Sequence, residues 1–409
     1  MKVKTQEIFS KNLGVVKERI ERIVNSSVGV DLSSVKMKDN GEFEHYEIQP
    51  KLEEKKSLFD RMEEDVIPGF SMVVINNFEI EWAKAFGVKN SETKEPVTID
   101  TMFQAASISK SLVATVVLHL VEKGLLGLDE PVNNKLKGWK IPDNEFTKEK
   151  KITIKHILTH NSGINGPNGG FGREENSAPT ILQTLNGDAP AKNKPLEVEF
   201  PPESKFQYSN FGFILLEKLV HDITGKKLNE LAYEIIFEPL GMKSSLFDYP
   251  SEEIQKQMTY THGNGEIYEP NVGLSPCVFG CGGLVTKPLD LAKFALGLIN
   301  SYQGRKGSIL TQTIAQKMLT KQIELNPTKF FGRDGMGFGI FLITDKDTFF
   351  FDHLGGNNPG SASIMIANPI SGQGVVIMAN SLSAHNRLIS SILYTLAEEY
   401  DWTIYKKKT

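Results

Sequence analysis

A chain of 409 residues, 40% hydrophobic and 23% charged, has enough apolar surface for a large core and reads as an ordinary folded protein. Its formal net charge of -4 argues against a dedicated nucleic-acid binder, and no apolar run approaches the ~18–20 residues of a membrane span. Two cysteines, Cys277 and Cys281, cannot make a disulfide framework and are expected to be small buried thiols.

The opening stretch, Met1 to Phe9, lacks the apolar segment and cleavage site of a secretory signal, which predicts a cytoplasmic protein. Leu13, Val16, Ile20, Ile23 and Val24 recur at helical spacing among charged residues, so an amphipathic helix is expected within 10–27. Residues 28–58 are polar and poorly patterned and read as an extension or linker strapped to the surface. Phe70–Ile75, the turn Asn76-Asn77 and Glu79–Gly87 predict a β-hairpin. A helix headed by Ser107-Ile-Ser-Lys110 follows; from Ser111 on it is apolar almost all round, and it stops at Gly124. Helical patterns then occupy 152–158, 180–185, 211–224 and 228–240. A Gly-rich loop, Asn165 to Gly172, lies among them and is followed by Arg173, Glu174 and Glu175; such a loop is expected to shape substrate choice.

A helix is expected at about 288–300. Strand patterns follow at Phe338–Thr344, Thr348–His353, Ser361–Ala367 and Val375–Asn380, then an amphipathic helix at about 384–400. Short connections imply antiparallel pairing. The layout is α+β: an antiparallel sheet built from both ends of the chain, flanked by helices, with a mostly helical subdomain inserted. The expected division is an N-terminal extension at 1–60, a discontinuous sheet subdomain at 61–135 and 281–409, and a helical subdomain at 136–280. Nothing in the sequence specifies an oligomeric state.

Three short motifs carry chemistry. Ser107-Ile-Ser-Lys110 places a hydroxyl and an amine three residues apart at the head of the apolar helix, on one face. A serine needs a nearby group to take its proton, and a lysine does so only where burial or another cation suppresses its charge. The same spacing at Ser33/Lys36 and Ser91/Lys94 lies in charged surroundings and reads as solvated surface. Tyr208-Ser-Asn210 sits in a loop between Pro201-Pro202 and a helix starting near Phe211. His353-Leu-Gly355-Gly356 ends a strand, with two glycines that let backbone approach a ligand. A competing pattern is His156-Ile-Leu-Thr-His160, since two histidines at i and i+4 can share a helix face and bind a metal. It lacks the glutamate of the usual metalloprotease helix.

In order and spacing these motifs resemble those of the serine β-lactamase and penicillin-binding-protein superfamily, in its branch of class C β-lactamase-like esterases and peptidases. The resemblance runs from about residue 65 to about 400. It includes the connecting stretches Leu128–Val132, Ile157–Gly163, Phe237–Met242 and Gly282–Ala292. It implies a β-lactamase/transpeptidase-like fold and a serine hydrolase with no cofactor and no metal. Ser107 would become acylated, and Lys110 and Tyr208 would share the proton transfers. Asn210 would hold Lys110 and the substrate, and His353 would line the site and assist Tyr208. The amides of Ser107 and Gly356 would form the oxyanion hole, with Gly355 beside them. The partner implied is a small ester, amide or peptide. His353 departs from the lysine usual in true class C β-lactamases, which binds the β-lactam carboxylate; as a weaker, pH-dependent cation it favours an ester or D-amino-acid amide over a β-lactam. The alternatives are a β-lactamase or DD-peptidase, a metal-dependent hydrolase, and a non-catalytic binding or sensor protein on the same fold.

Overall fold

A computed structural model describes residues 7–9, 13–31, 51–166, 178–275, 278–326, 330 and 332–406. Its strands, in chain order, are β1 (Glu7–Phe9), β2 (Ser27–Asp31), β3 (Lys51–Lys56), β4 (Gly69–Asn76), β5 (Glu79–Gly87), β6 (Phe103–Gln104), β7 (Thr261–Gly263), β8 (Glu266–Tyr268), β9 (Val285–Thr286), β10 (Ile323–Glu324), β11 (Gly335–Met336), β12 (Phe341–Asp345), β13 (Thr348–Asn357), β14 (Ser361–Asn368) and β15 (Gln373–Ala379). Nine of them form one sheet in the order β1-β5-β4-β15-β14-β13-β12-β11-β10, every neighbouring pair antiparallel. The two ends of the chain meet at β4 and β15, where Phe70 pairs with Ala379 and Ile75 with Gly374.

Side chains alternate across the sheet with period two. Val73 and Ile75 of β4, Met365 of β14 and Met378 of β15 enter one core; Met72, Val74, Ile364 and Ile377 enter the other. The first core is closed by the helices Ser109–Glu122, Asn210–Thr224 and Pro288–Gln303, the second by Leu13–Asn25 and Leu388–Glu399. Both faces are therefore dry, which is why the central strands read as continuous apolar runs.

The structure departs from the expected elements in four places. Part of the supposed linker 28–58 is an ordered two-stranded ribbon, β2 with β3. The fully buried Arg61 donates to the Ser27 hydroxyl and to the Ser27 and Glu54 carbonyls, and the Val28 amide donates to Thr395. Those partners are remote in sequence, so no local pattern announced them. The strand predicted from Phe338 begins at Phe341, because Gly339 adopts φ +67° and is bound elsewhere: its amide donates to Leu158 and its carbonyl accepts from Ser111. The last helix starts at Leu388, after a 3-10 turn at Leu382–His385. The strand predicted to end at His353 continues to Asn357, so Gly355 and Gly356 pair with Ser363 and Ala362. Cys277 and the Gly-rich loop beyond Gly166, with Arg173, Glu174 and Glu175, lie outside the described residues.

Candidate active site

Ser107 stands on a turn held from three sides. The preceding β6 pairs with β9, and the Ala105 amide donates to the Leu284 carbonyl at 2.9 Å. From β14, Ser361 donates to the Gln104 carbonyl at 2.7 Å and Ser363 to the Ala105 carbonyl at 3.0 Å. Ser109 donates to the Ala106 carbonyl at 2.6 Å while accepting the Leu284 amide at 2.9 Å. These bonds hold Ala106 at φ +47°, a conformation costing a non-glycine residue of order 1 kcal/mol or more. Ser107 itself is half-buried in the 3-10 turn Ala106–Ile108, just ahead of the α-helix Ser109–Glu122 rather than inside it. A 3-10 turn eclipses i and i+3, so the Ser–Lys pairing survives the change.

Lys110 is fully buried. Its Nζ donates to Ser107 Oγ at 3.2 Å and to the Cys281 carbonyl. It also lies 4.8 Å from the centre of the Tyr208 ring and 5.8 Å from that of Phe213. The Lys110 amine is thus surrounded by a hydroxyl, a carbonyl and two aromatic rings. Cys281 is a free, buried thiol that burial pushes up to about 11, so its carbonyl, not its sulfur, is the useful group.

Tyr208 is half-buried and stacks on His160, with ring centres 4.4 Å apart and planes at 28°. His160 accepts the Ser209 amide at Nδ1, so its proton sits on Nε2, which has no hydrogen-bond partner among the described residues. Burial, then Lys110, then His353 hold His160 well below the usual imidazole range. On the other side, the His353 ring centre is 6.4 Å from that of Tyr208. Its Nδ1 donates to the Leu354 carbonyl at 2.6 Å, and Nε2 has no hydrogen-bond partner among the described residues. Burial first, then Lys110, push His353 down to about 3 against that hydrogen bond. The imidazole expected to be only a weak, pH-dependent cation is therefore neutral over the ordinary pH range. Asn210 opens the helix Asn210–Thr224, two residues from Tyr208, with Ser209 as its cap accepting the Gly212 amide.

Gly355 brings β13 against the Ser107 turn. A Cβ there would lie 2.1 Å from the Ala105 carbonyl oxygen and 2.3 Å from Ser363 Oγ. Gly356 is exposed, and a Cβ there would meet only the tip of Leu382 closely, at 3.0 Å. Next to His353, Asp352 is fully buried and takes both oxygens to Arg333 Nε at 2.9 Å. That pair fixes the strand from beneath the site.

Ser107, Lys110, Tyr208 and His353 thus stand together, with Gly355 packed on their turn. The pattern His156–His160 does not form a shared helix face, because the helix Ile154–Leu158 ends between them and His160 adopts φ +54°. His156 instead pairs with Glu203 at 2.8 Å. Sequence reasoning missed His160 as a neighbour of Tyr208, and also Phe213 and Cys281 beneath Lys110. Phe213 was findable, since it follows Asn210 by three and so shares its helix face. The other two contacts have no local signal.

The sequence model of the Beta-lactamase family matches residues 56–395. The chain is similar to Esterase EstB of Burkholderia gladioli, at 31% identity over 198 residues, 47% of this chain and 50% of that protein. It is similar to Penicillin-binding protein 4 of Amycolatopsis lactamdurans, at 29% over 201 residues, 48% of this chain and 49% of that protein. The chain spans about half the length of these curated relatives. Among solved structures, the octameric penicillin-binding protein homologue from Pyrococcus abyssi superimposes with a TM-score of 0.69 at 28% identity, covering 84% of this chain and 76% of that one.

Proposed function

We propose, from the premise that this chain belongs to the Beta-lactamase family, that it hydrolyses a small carboxylic ester or D-amino-acid amide through an acyl-enzyme on Ser107. The observation that carries this reading is the fully buried Lys110 side chain, its Nζ 3.2 Å from Ser107 Oγ. Burying a lysine is costly, and this one is spent on a serine hydroxyl rather than on a carboxylate. In the first half-reaction Ser107 Oγ adds to the substrate carbonyl carbon. Its proton passes through Lys110 and Tyr208 to the departing oxygen or nitrogen, and the acyl ester remains on Ser107. In the second, water adds to that ester as Tyr208 takes its proton, and Ser107 regains a hydrogen as the acid leaves. Asn210 orients Lys110 and the substrate. The amides of Ser107 and Gly356 face the developing oxyanion, and one such donor is typically worth ~2.7–4 kcal/mol.

The neutral His353 supports an ester or amide over a β-lactam. A β-lactam brings a carboxylate that a fixed cation at that position would hold, and a neutral imidazole does not supply one. The test is a fluorophosphonate probe with peptide mapping, together with rates on p-nitrophenyl esters, D-alanine derivatives and nitrocefin. The adduct should fall on Ser107, and Ser107→Ala should lose roughly six orders of magnitude in kcat. An adduct on another residue overturns the mechanism. Nitrocefin turned over faster than every ester and D-alanine derivative would restore the β-lactamase reading.

A further inference from the structure

Glu217 is a buried acid that the mechanism above does not use. It lies on the helix Asn210–Thr224 at 6% exposure, on the same face as Asn210 and Phe213, since i, i+3 and i+7 align. Its Oε2 accepts two backbone amides, Phe279 at 2.9 Å and Gly280 at 2.7 Å. The next residue, Cys281, supplies the carbonyl that accepts from Lys110 Nζ. The turn between them has little slack: the Gly282 and Gly283 amides both donate back to the Phe279 carbonyl, at 3.1 and 2.7 Å. A Cβ on Gly280 would lie 2.6 Å from the Phe213 carbonyl, and one on Gly283 would lie 2.6 Å from Phe279 Cα. Moving the Phe279 and Gly280 amides therefore moves the Cys281 carbonyl.

We propose that Glu217 is a positioning residue: by gripping the Phe279 and Gly280 amides it sets the Cys281 carbonyl against Lys110 and so holds Lys110 on Ser107. The inference rests on the reading of Ser107 as nucleophile. It carries a pH signature. Burial pushes Glu217 up to about 7, with the two amides opposing. The titratable group coupled to it across the turn is the Cys281 thiol, which stays protonated near neutrality. Lys218, beside it on the helix, is committed to Asp222 at 2.6 Å and to the Lys137 carbonyl. A carboxylate accepts amide hydrogen bonds more strongly than a carboxylic acid. The hold on Lys110 should therefore tighten as pH rises through about 7.

The experiment compares wild type, Glu217→Gln and Glu217→Ala by the rate of fluorophosphonate labelling and by kcat/KM on an aryl ester, from pH 5.5 to 8.5, with thermal melts of each variant. Glutamine keeps an oxygen acceptor in place without titrating. It should stay within about threefold of wild type at pH 6 and lose the rise near pH 7. Alanine releases the turn, and a misplacement of ~1 Å costs about 100-fold, so labelling should slow by about 10- to 100-fold at every pH. An alanine variant that labels at the wild-type rate overturns the inference. So does a glutamine variant with the wild-type pH profile, which decides the matter if alanine fails to fold. Absence of labelling on Ser107 in wild type overturns the nucleophile reading and this inference with it; loss confined to the variants leaves that reading intact.

Discussion

Lys110 Nζ lies 4.8 Å from the centre of the Tyr208 ring and 3.2 Å from Ser107 Oγ. Groups that move one proton between them act as a unit, so their losses should not add. Lys110→Ala and Tyr208→Phe should each lower kcat by about three orders of magnitude or more, and the double variant by little beyond the worse single one. Stopped-flow or steady-state rates on one aryl ester complete the cycle. Strictly multiplicative losses would show two independent roles. His160 belongs to the same unit by contact, since its ring lies flat on Tyr208 and burial keeps it neutral. Burial first, and the nearby Lys110 second, keep both neighbouring imidazoles neutral.

At the scale of elements, the site is the contact between strand β13 and the turn before Ser107. That contact needs glycine at one position and not at its neighbour. At Gly355 a methyl group would meet backbone at 2.1 Å, which no side-chain shift relieves. At Gly356 it would meet the end of the Leu382 side chain at 3.0 Å, which can give way. Overpacking of this kind costs ~1–3 kcal/mol and moves backbone. Gly355→Ala should therefore reduce kcat/KM by about 100-fold, while Gly356→Ala stays within about threefold, as the backbone amide assigned to the oxyanion is retained. Equal losses at both positions would show that the packing of β13 on the turn does not set the activity. The Arg333–Asp352 pair beneath the strand explains how β13 keeps this place: breaking a buried pair leaves one uncompensated charge, typically at ~3–5 kcal/mol.

At the scale of the whole molecule, the burial of several histidines gives a pH dependence of stability. His156, His160, His262 and His353 are all buried, and burial is the largest cause lowering each below the usual imidazole range. On acidification below about 6.5 the unfolded chain takes up protons that the folded chain refuses, so stability falls. For His353 that window runs from about 6.5 down to about 3. Glu217 works the other way: raised to about 7, it stays protonated in the fold where the unfolded chain has ionised, so its term weakens the fold as pH rises from about 4.5 to about 7. His119 and His385 are lowered by burial too, so among the described residues six imidazoles oppose the one carboxylate, Glu217, and thermal melts should show Tm falling by several degrees between pH 7 and pH 5. A Tm that is flat or rising over that range would mean the imidazoles titrate normally. The two-sided core makes any such loss cooperative, because the strands shared by both cores join the helices on the two faces.

The amino-acid pattern alone determined what depends on near neighbours in the chain. Ser107 and Lys110 meet because one helical turn brings i and i+3 together, so their pairing was legible before any fold was known. The hairpin at Gly69–Gly87, the apolar helix ending at Gly124 and the order of the three motifs were legible for the same reason. Tertiary structure alone decided what depends on distant partners. The carbonyl that receives Lys110 comes from Cys281, 171 residues on, and His160 reaches the Ser209 amide across 49. The ribbon of β2 and β3 looked like linker because its anchors, Arg61 and Thr395, are remote from its own sequence. That His353 is mostly neutral near pH 7 was legible from its residue type and the nearness of Lys110, but how far its protonation is suppressed was decided by burial, which the sequence does not show.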